Sequence, residues 1–172
     1  IQNPDMNEAD YFRIVECKTG VLIAAACRLG AVISKAPLSQ EDALAAYGRK
    51  LGLAFQITDD TLDYAADQKE LGKELGKDLA EGKVTLPLIY LMRKAAPDEQ
   101  DALRAILRAD DLNDEDLAYT LALMDKHGVV NDSLRHAQTL ADDAKAALAI
   151  FPDSAARQAL TTLADYVVHR EH

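Results

Sequence analysis

Apolar residues recur at helical spacing along almost the whole chain, and nowhere do they alternate for long enough to make a strand. Leu44, Tyr47, Leu51, Phe55 and Leu62 follow one another at intervals of three, four and seven, which places them on one face of a helix. Composition points the same way. Alanine and leucine dominate, tryptophan is absent, and there are only 8 glycines and 5 prolines in 172 residues. Ala and Leu give up little side-chain freedom in a helix, whereas Gly and Pro interrupt one. With 49% apolar residues the chain can bury a core, and its length suits one domain. The expected fold is an all-α bundle.

The interruptions place the helices. Asn7 is positioned to cap a helix over 8–34, which Pro37 ends by disfavouring helix at Ala36. Ser39 and Asp42 have the form of a capping box, with Asp in place of Glu or Gln, opening a helix over 40–65. Residues 66–82 are polar and hold Gly72, Gly76 and Gly82, so they read as a loop with one helical turn. A short helix over 84–94 takes Pro87 in its first turn, where a missing N–H costs nothing. Pro97 and Asp98 open a helix over 99–108. Asn113 or Asp114 opens another to His127, with Gly128 at its C-terminal cap. Helices over 132–150 and 154–169 complete the bundle.

Charge excludes one class of function. The formal net charge is −10, and nonspecific nucleic-acid binding needs a basic face to displace counterions. The most apolar stretch, 21–33, carries Arg28 and falls short of the roughly 20 residues a membrane span needs; it reads as a core helix, with no stable membrane insertion expected. Cys17 and Cys27 lie on one helix and show no metal-binding spacing, so both read as reduced thiols, as in a cytoplasmic protein. His127, His136, His169 and His172 are scattered and read as solvent-facing. Residues 110–116 are acidic but lack the glycine and glutamate of a calcium loop. The first residue is Ile1 rather than Met, which hints at a start inside a longer gene product.

Chemistry concentrates in one stretch. Asp59 and Asp63 are four apart on one helical face, Asp60 borders that face, and Gln56 stands one turn before Asp60. Like charges at this spacing destabilise a bare helix by a few tenths of a kcal/mol, which calls for a compensating cation. Carboxylates in an open set suit Mg²⁺, which keeps several waters and bridges to phosphates; a solvated acidic face is the other reading of the same five residues. Downstream, Gly72-Lys73, Gly76-Lys77-Asp78-Leu79 and Glu81-Gly82-Lys83 set lysines beside glycines. Such a loop can close on phosphate oxygens, or be an ordinary charged surface loop with Lys77 on it.

The stretch from Gln56 to Asp63, with Gly72-Lys73, Gly76, Asp78-Leu79 and Gly82-Lys83-Val84-Thr85-Leu86-Pro87, resembles the second aspartate-rich region of trans-isoprenyl diphosphate synthases. Tyr11 with Cys17-Lys18-Thr19-Gly20 resembles that family's Lys-Thr helix. Gly128, Tyr166-Val167-Val168 and Arg170 resemble its C-terminal end, so the likeness covers nearly the whole chain. In style the sequence is most similar to bacterial octaprenyl- and decaprenyl-type synthases of quinone side chains.

The resemblance implies an isoprenoid synthase type helical bundle, with residues 1–172 forming the C-terminal part of a single prenyl synthase domain. It implies condensation of isopentenyl diphosphate with an allylic diphosphate to a linear polyprenyl diphosphate. It implies Mg²⁺ held by Asp59 directly, with Asp60 and Asp63 holding that ion's waters or adjusting its position. Lys18 and Lys73, with a smaller share from Lys83, would grip the allylic diphosphate. Thr19 and Gln56 would act with Lys18 at the reacting end, offering neutral oxygens to developing positive charge. A homodimer, formed through helices that include the Lys-Thr region, is also implied.

The family's first aspartate-rich motif and its isopentenyl diphosphate arginines have no counterpart here, so this chain alone is expected to be inactive. Two other readings remain in view: a noncatalytic helical subunit that regulates a prenyl synthase, and a relative of the class I terpene cyclases. The Asp59-Asp60-Thr61-Leu62-Asp63 run and the 5% aromatic content weigh against the second.

Overall fold

Local signals set most of the element boundaries in the computed structural model, which describes residues 3–65, 76–109 and 112–170. The elements are α1 (Glu8–Val15), a π-helical turn (Glu16–Gly20), α2 (Val21–Ile33), α3 (Leu38–Ala65), α4 (Lys77–Ala80), α5 (Leu86–Lys94), α6 (Pro97–Arg108), α7 (Asp114–His127), α8 (Val129–Ala147), a 3₁₀ turn (Leu148–Ile150) and α9 (Ala155–His169). The fold is all-α, as expected, and no strand occurs among the described residues.

Several ends follow the capping rules. The Asn7 side chain accepts the Asp10 N–H at 2.9 Å, Asn113 accepts the Asp116 N–H at 2.8 Å, and Ser154 accepts the Arg157 N–H at 3.2 Å. Gly128 closes α7 at φ +65°, a left-handed value that glycine adopts without strain. Lys35 takes φ +54° after α2, and the Ala36 N–H reaches back to the Ala31 carbonyl before Pro37 stops the helix.

The fold groups into two compact units. One comprises residues 12–58 with 134–170. Its core joins Tyr47, Leu51 and Ala54 of α3 to Ala141 and Ala144 of α8 and to Leu148, Ala164 and Val167. Alanines at the crossings allow close approach, and large side chains fill the rest. The Tyr47 hydroxyl donates to the Leu160 carbonyl at 2.8 Å, which satisfies its polar end, and burial pushes its pKa up to about 12. Lys50 reaches Asp143 at 2.6 Å and Lys145 reaches Asp165 at 2.6 Å.

The other unit comprises residues 3–11, 59–65, 76–109 and 112–133. Leu86, Leu88, Ile89 and Leu91 bury nearly all of α5, which packs on α7. Pro87 sits in the first turn of α5 as expected.

Five expectations need correction. The helix over 8–34 is interrupted by the π turn, in which the Val21 N–H bonds the Glu16 carbonyl. Helix α3 starts at Leu38, with the Gln40 and Glu41 N–H groups taken by the Pro37 carbonyl, so Ser39 lies inside the helix and is no cap. The helix expected over 132–150 starts at Val129, directly after Gly128, and ends in a 3₁₀ turn. Helix α2 is not a core helix. Ala31 is buried, but Val21, Leu22, Leu29, Val32 and Ile33 are exposed, because only one side of α2 finds a partner among the described residues. His127 and His136 are half-buried, one 2.9 Å from Glu99 and the other with its ring against Phe12; His169 is exposed, and His172 lies outside the described residues.

Candidate active site

The last turns of α3 carry the three carboxylates in three different settings. Asp59 is exposed, Asp60 is buried and Asp63 is half-buried. A buried charge must be met by donors or it destabilises the fold. Asp60 accepts the Tyr11 hydroxyl at 2.7 Å. Burial, and then the charge on Asp60, raise the Tyr11 pKa far above its ordinary value, so the hydroxyl stays protonated and remains a donor.

Asp63 is held from the loop side. Its carboxylate accepts the Asp78 N–H at 2.9 Å, and its carbonyl accepts the Gly76 N–H at 3.0 Å. Burial pushes the Asp63 carboxyl above the usual carboxylate range, and the N–H groups of Asp78 and Lys77 and the Lys83 ammonium work against that rise. Gly76 makes the turn at φ +71°, a conformation that calls for glycine, and a Cβ there would stand 2.4 Å from Leu117 Cδ1 and push that side chain aside. Asp78 also accepts from Lys83 Nζ at 2.9 Å, and Lys83 pairs with Glu81 at 2.6 Å. Those two carboxylates, Glu81 first, hold the Lys83 pKa well above the ordinary lysine value. Lys83 is thus a fixed cation near the end of α3, and Lys77 is exposed as expected.

A second group gathers at the π turn, in the other unit. Lys18 is exposed, with no carboxylate partner among the described residues. The Thr19 hydroxyl donates to Gln56 Oε1 at 3.2 Å, bringing together two of the expected catalytic residues. Arg49 pairs with Glu16 at 2.7 Å at the start of the same turn. Lys73 and Gly72 lie outside the described residues.

Among the described residues no three His, Cys, Asp or Glu side chains converge into a ready metal cage. The donors on α3 are all carboxylate oxygens, with one of them open to solvent. That set fits an ion that keeps waters and takes further oxygens from a substrate, which is the habit of Mg²⁺.

Reading the sequence found the residue types along α3 but missed what holds them. Tyr11 and Asp60 are 49 residues apart, and Asp78 meets Asp63 across 15. No local pattern announces either pair. The π turn had a faint signal: the run Glu16 to Thr19, with its charged and hydroxyl side chains, just before the apolar stretch 21–33.

The family model described as Polyprenyl synthetase matches residues 1–124. The chain is 37% identical to an octaprenyl diphosphate synthase from Haemophilus influenzae over 172 residues, which is all of this chain and 52% of that protein. Among solved structures it is similar to a decaprenyl diphosphate synthase from Rhodobacter capsulatus, with a TM-score of 0.91 and 41% identity over 99% of this chain and 53% of the other. It is also similar to a polyprenyl synthase from Caulobacter crescentus CB15 complexed with calcium and isoprenyl diphosphate, with a TM-score of 0.90 and 38% identity over 98% of this chain and 52% of the other. The chain therefore spans about half the length of the relatives it matches.

Proposed function

The chain belongs to the polyprenyl synthetase family, and from that premise we propose that it supplies one half of a trans-prenyltransferase. The reaction joins isopentenyl diphosphate to an allylic diphosphate and yields a linear polyprenyl diphosphate. The observation that carries this reading is the arrangement on α3: exposed Asp59 is followed at once by Asp60, anchored by Tyr11, and one turn later by Asp63, anchored by the Asp78 N–H.

Asp59 is the side chain that would ligate Mg²⁺ directly. Asp60 and Asp63, fixed by their donors, would orient the water shell. When bound, the ion supplies positive charge against the departing diphosphate. Lys18 and Lys73 grip the diphosphate oxygens as point charges, and Lys83 adds a smaller share from its place beside Asp78. Thr19 and Gln56 present neutral oxygens to the cation that forms when the allylic C–O bond opens. Such oxygens stabilise positive charge without bonding to it covalently. The relatives extend to about twice this length, and the chain by itself is expected not to turn over. Two copies would associate through α2, whose outer face is apolar and exposed. Neither Cys17 nor Cys27 is in a disulfide, and among the described residues no helix is long and apolar enough to cross a membrane; the compartment that goes with this proposal is the cytoplasm.

The test joins this chain to the remaining half of a relative's length and supplies both diphosphates with Mg²⁺. A linear prenyl diphosphate is the expected product, and a chelator should abolish its formation. Asp59→Ala should lower turnover by at least about a hundredfold with helical content unchanged, since Asp59 is exposed. Normal turnover in that variant removes Asp59 from the site, and no product from the parent protein overturns the function.

A further inference from the structure

Two glycines lie inside α3, where helix propensity argues against them. Each costs a helix interior about 0.5–1 kcal/mol relative to alanine, so a packing reason is required. The reason is contact between backbones. A Cβ on Gly52 would stand 2.9 Å from the Gly20 Cα and 3.3 Å from the Gly20 nitrogen. A Cβ on Gly48 would stand 2.7 Å from the Ile23 carbonyl oxygen and 2.9 Å from the Ala24 Cα. These are backbone atoms, which cannot swing aside as a side chain could. Gly20 differs: a Cβ there would make only ordinary contacts, the nearest at 3.6 Å. The demand for glycine is therefore one-sided. It falls on α3 and not on the π turn.

What Gly52 touches is the last residue of that turn. A π turn inserted in an α-helix departs from the regular hydrogen-bond ladder and needs outside support to keep its register. Here α3 supplies it at three points. Arg49 pairs with Glu16, the first residue of the turn, at 2.7 Å. Gly52 abuts Gly20, the last. Gln56 accepts from Thr19. Positions 49, 52 and 56 share one face of α3 by their spacing. We infer that Gly52 and Arg49 are positioning residues: they hold the π turn in the register that brings the Thr19 hydroxyl to the Gln56 carboxamide and leaves Lys18 exposed. The inference rests on the proposed function for why that pair matters to prenyl transfer, but the register itself does not depend on it.

The test reads the register directly, in the 172-residue chain, from the Thr19 methyl resonance and from amide exchange over residues 17–21. Gln56→Leu marks where the Thr19 methyl resonates when the pair is broken. Gly52→Ala should move the resonance toward that position and speed exchange across the turn by about tenfold or more. Gly20→Ala should change neither. A Gly52→Ala chain that melts at a lower temperature with its Thr19 resonance in place overturns the inference, because Gly52 then only packs. If Gly52→Ala does not fold, Arg49→Ala decides. Arg49 is exposed, and its loss should shift the Thr19 methyl in the same direction by less; an unmoved resonance overturns the inference there too. A protein that passes this test but transfers no prenyl group loses the proposed function and keeps the register, and the converse result separates the two the other way.

Discussion

Asp60 is a buried carboxylate, and the Tyr11 hydroxyl is one of the groups that makes it tolerable in that place. Hydrogen bonds to charged groups contribute about 1.5–3 kcal/mol, against roughly 1 for neutral pairs. Tyr11→Phe keeps the buried ring and deletes only the donor, so it should destabilise the chain by about 1–3 kcal/mol. A urea titration reads this as a lower midpoint with unchanged slope. An unchanged midpoint would mean that Tyr11 and Asp60 do not pair in solution. On the proposed function the same substitution would also reach the metal site, because Asp60 would lose the anchor with which it is proposed to orient the waters of an ion. In the joined, active protein Tyr11→Phe should therefore also raise the Mg²⁺ concentration needed for half-maximal turnover.

At the scale of elements, Glu99 ties the start of α6 to the end of α7. Its carboxylate is 7% exposed and accepts from Lys126 Nζ at 2.6 Å and from the Ala96 N–H at 2.9 Å, with His127 Nε2 also at 2.9 Å. These partners, Lys126 first, lower its pKa from 4.5 to about 2. A carboxyl depressed on folding contributes stability above its unfolded value, and that contribution is lost as pH falls through the folded value. Glu99→Gln should thus destabilise the chain at pH 5, and the gap between variant and parent should close as pH falls from 4.5 toward 2. A gap that stays constant over that window would mean the charge on Glu99 is not what holds the two helices. This contact also shows what the sequence could and could not disclose. Asn7, Asn113, Gly128 and Pro87 announced helix ends because capping is a matter of neighbours within four residues. The aspartates of α3 were legible as a cluster for the same reason. His127 was read as solvent-facing because its partner lies 28 residues away. Ser39 was misread because Pro37 had already begun the helix. The π turn left only a faint signal because its supports, Arg49, Gly52 and Gln56, sit on another helix.

At the scale of the molecule, the apolar outer face of α2 departs from an ordinary surface. Leu22, Leu29 and Ile33 recur at intervals of seven and four and are 72%, 58% and 75% exposed. Ala25, Ala26 and Gly30 beside them are exposed as well, so a second helix could approach closely. Isolated exposed leucines need no explanation, but a stripe along a whole helix marks a contact surface. Covering each large side chain is worth up to about 1.5–3 kcal/mol, enough for a few of them to hold two copies together. The net charge of −10 opposes association in general, but α2 carries no carboxylate, and Arg28 is its only charged residue. We therefore expect the chain to sediment as a dimer at roughly tens of micromolar. The double variant Leu22→Glu/Leu29→Glu should sediment as a monomer with the same helical signal, since both sites are exposed and Glu is a good helix former. A parent chain that is already monomeric would remove the two-copy assignment. The face would then be left for the half of its relatives' length that this chain does not span.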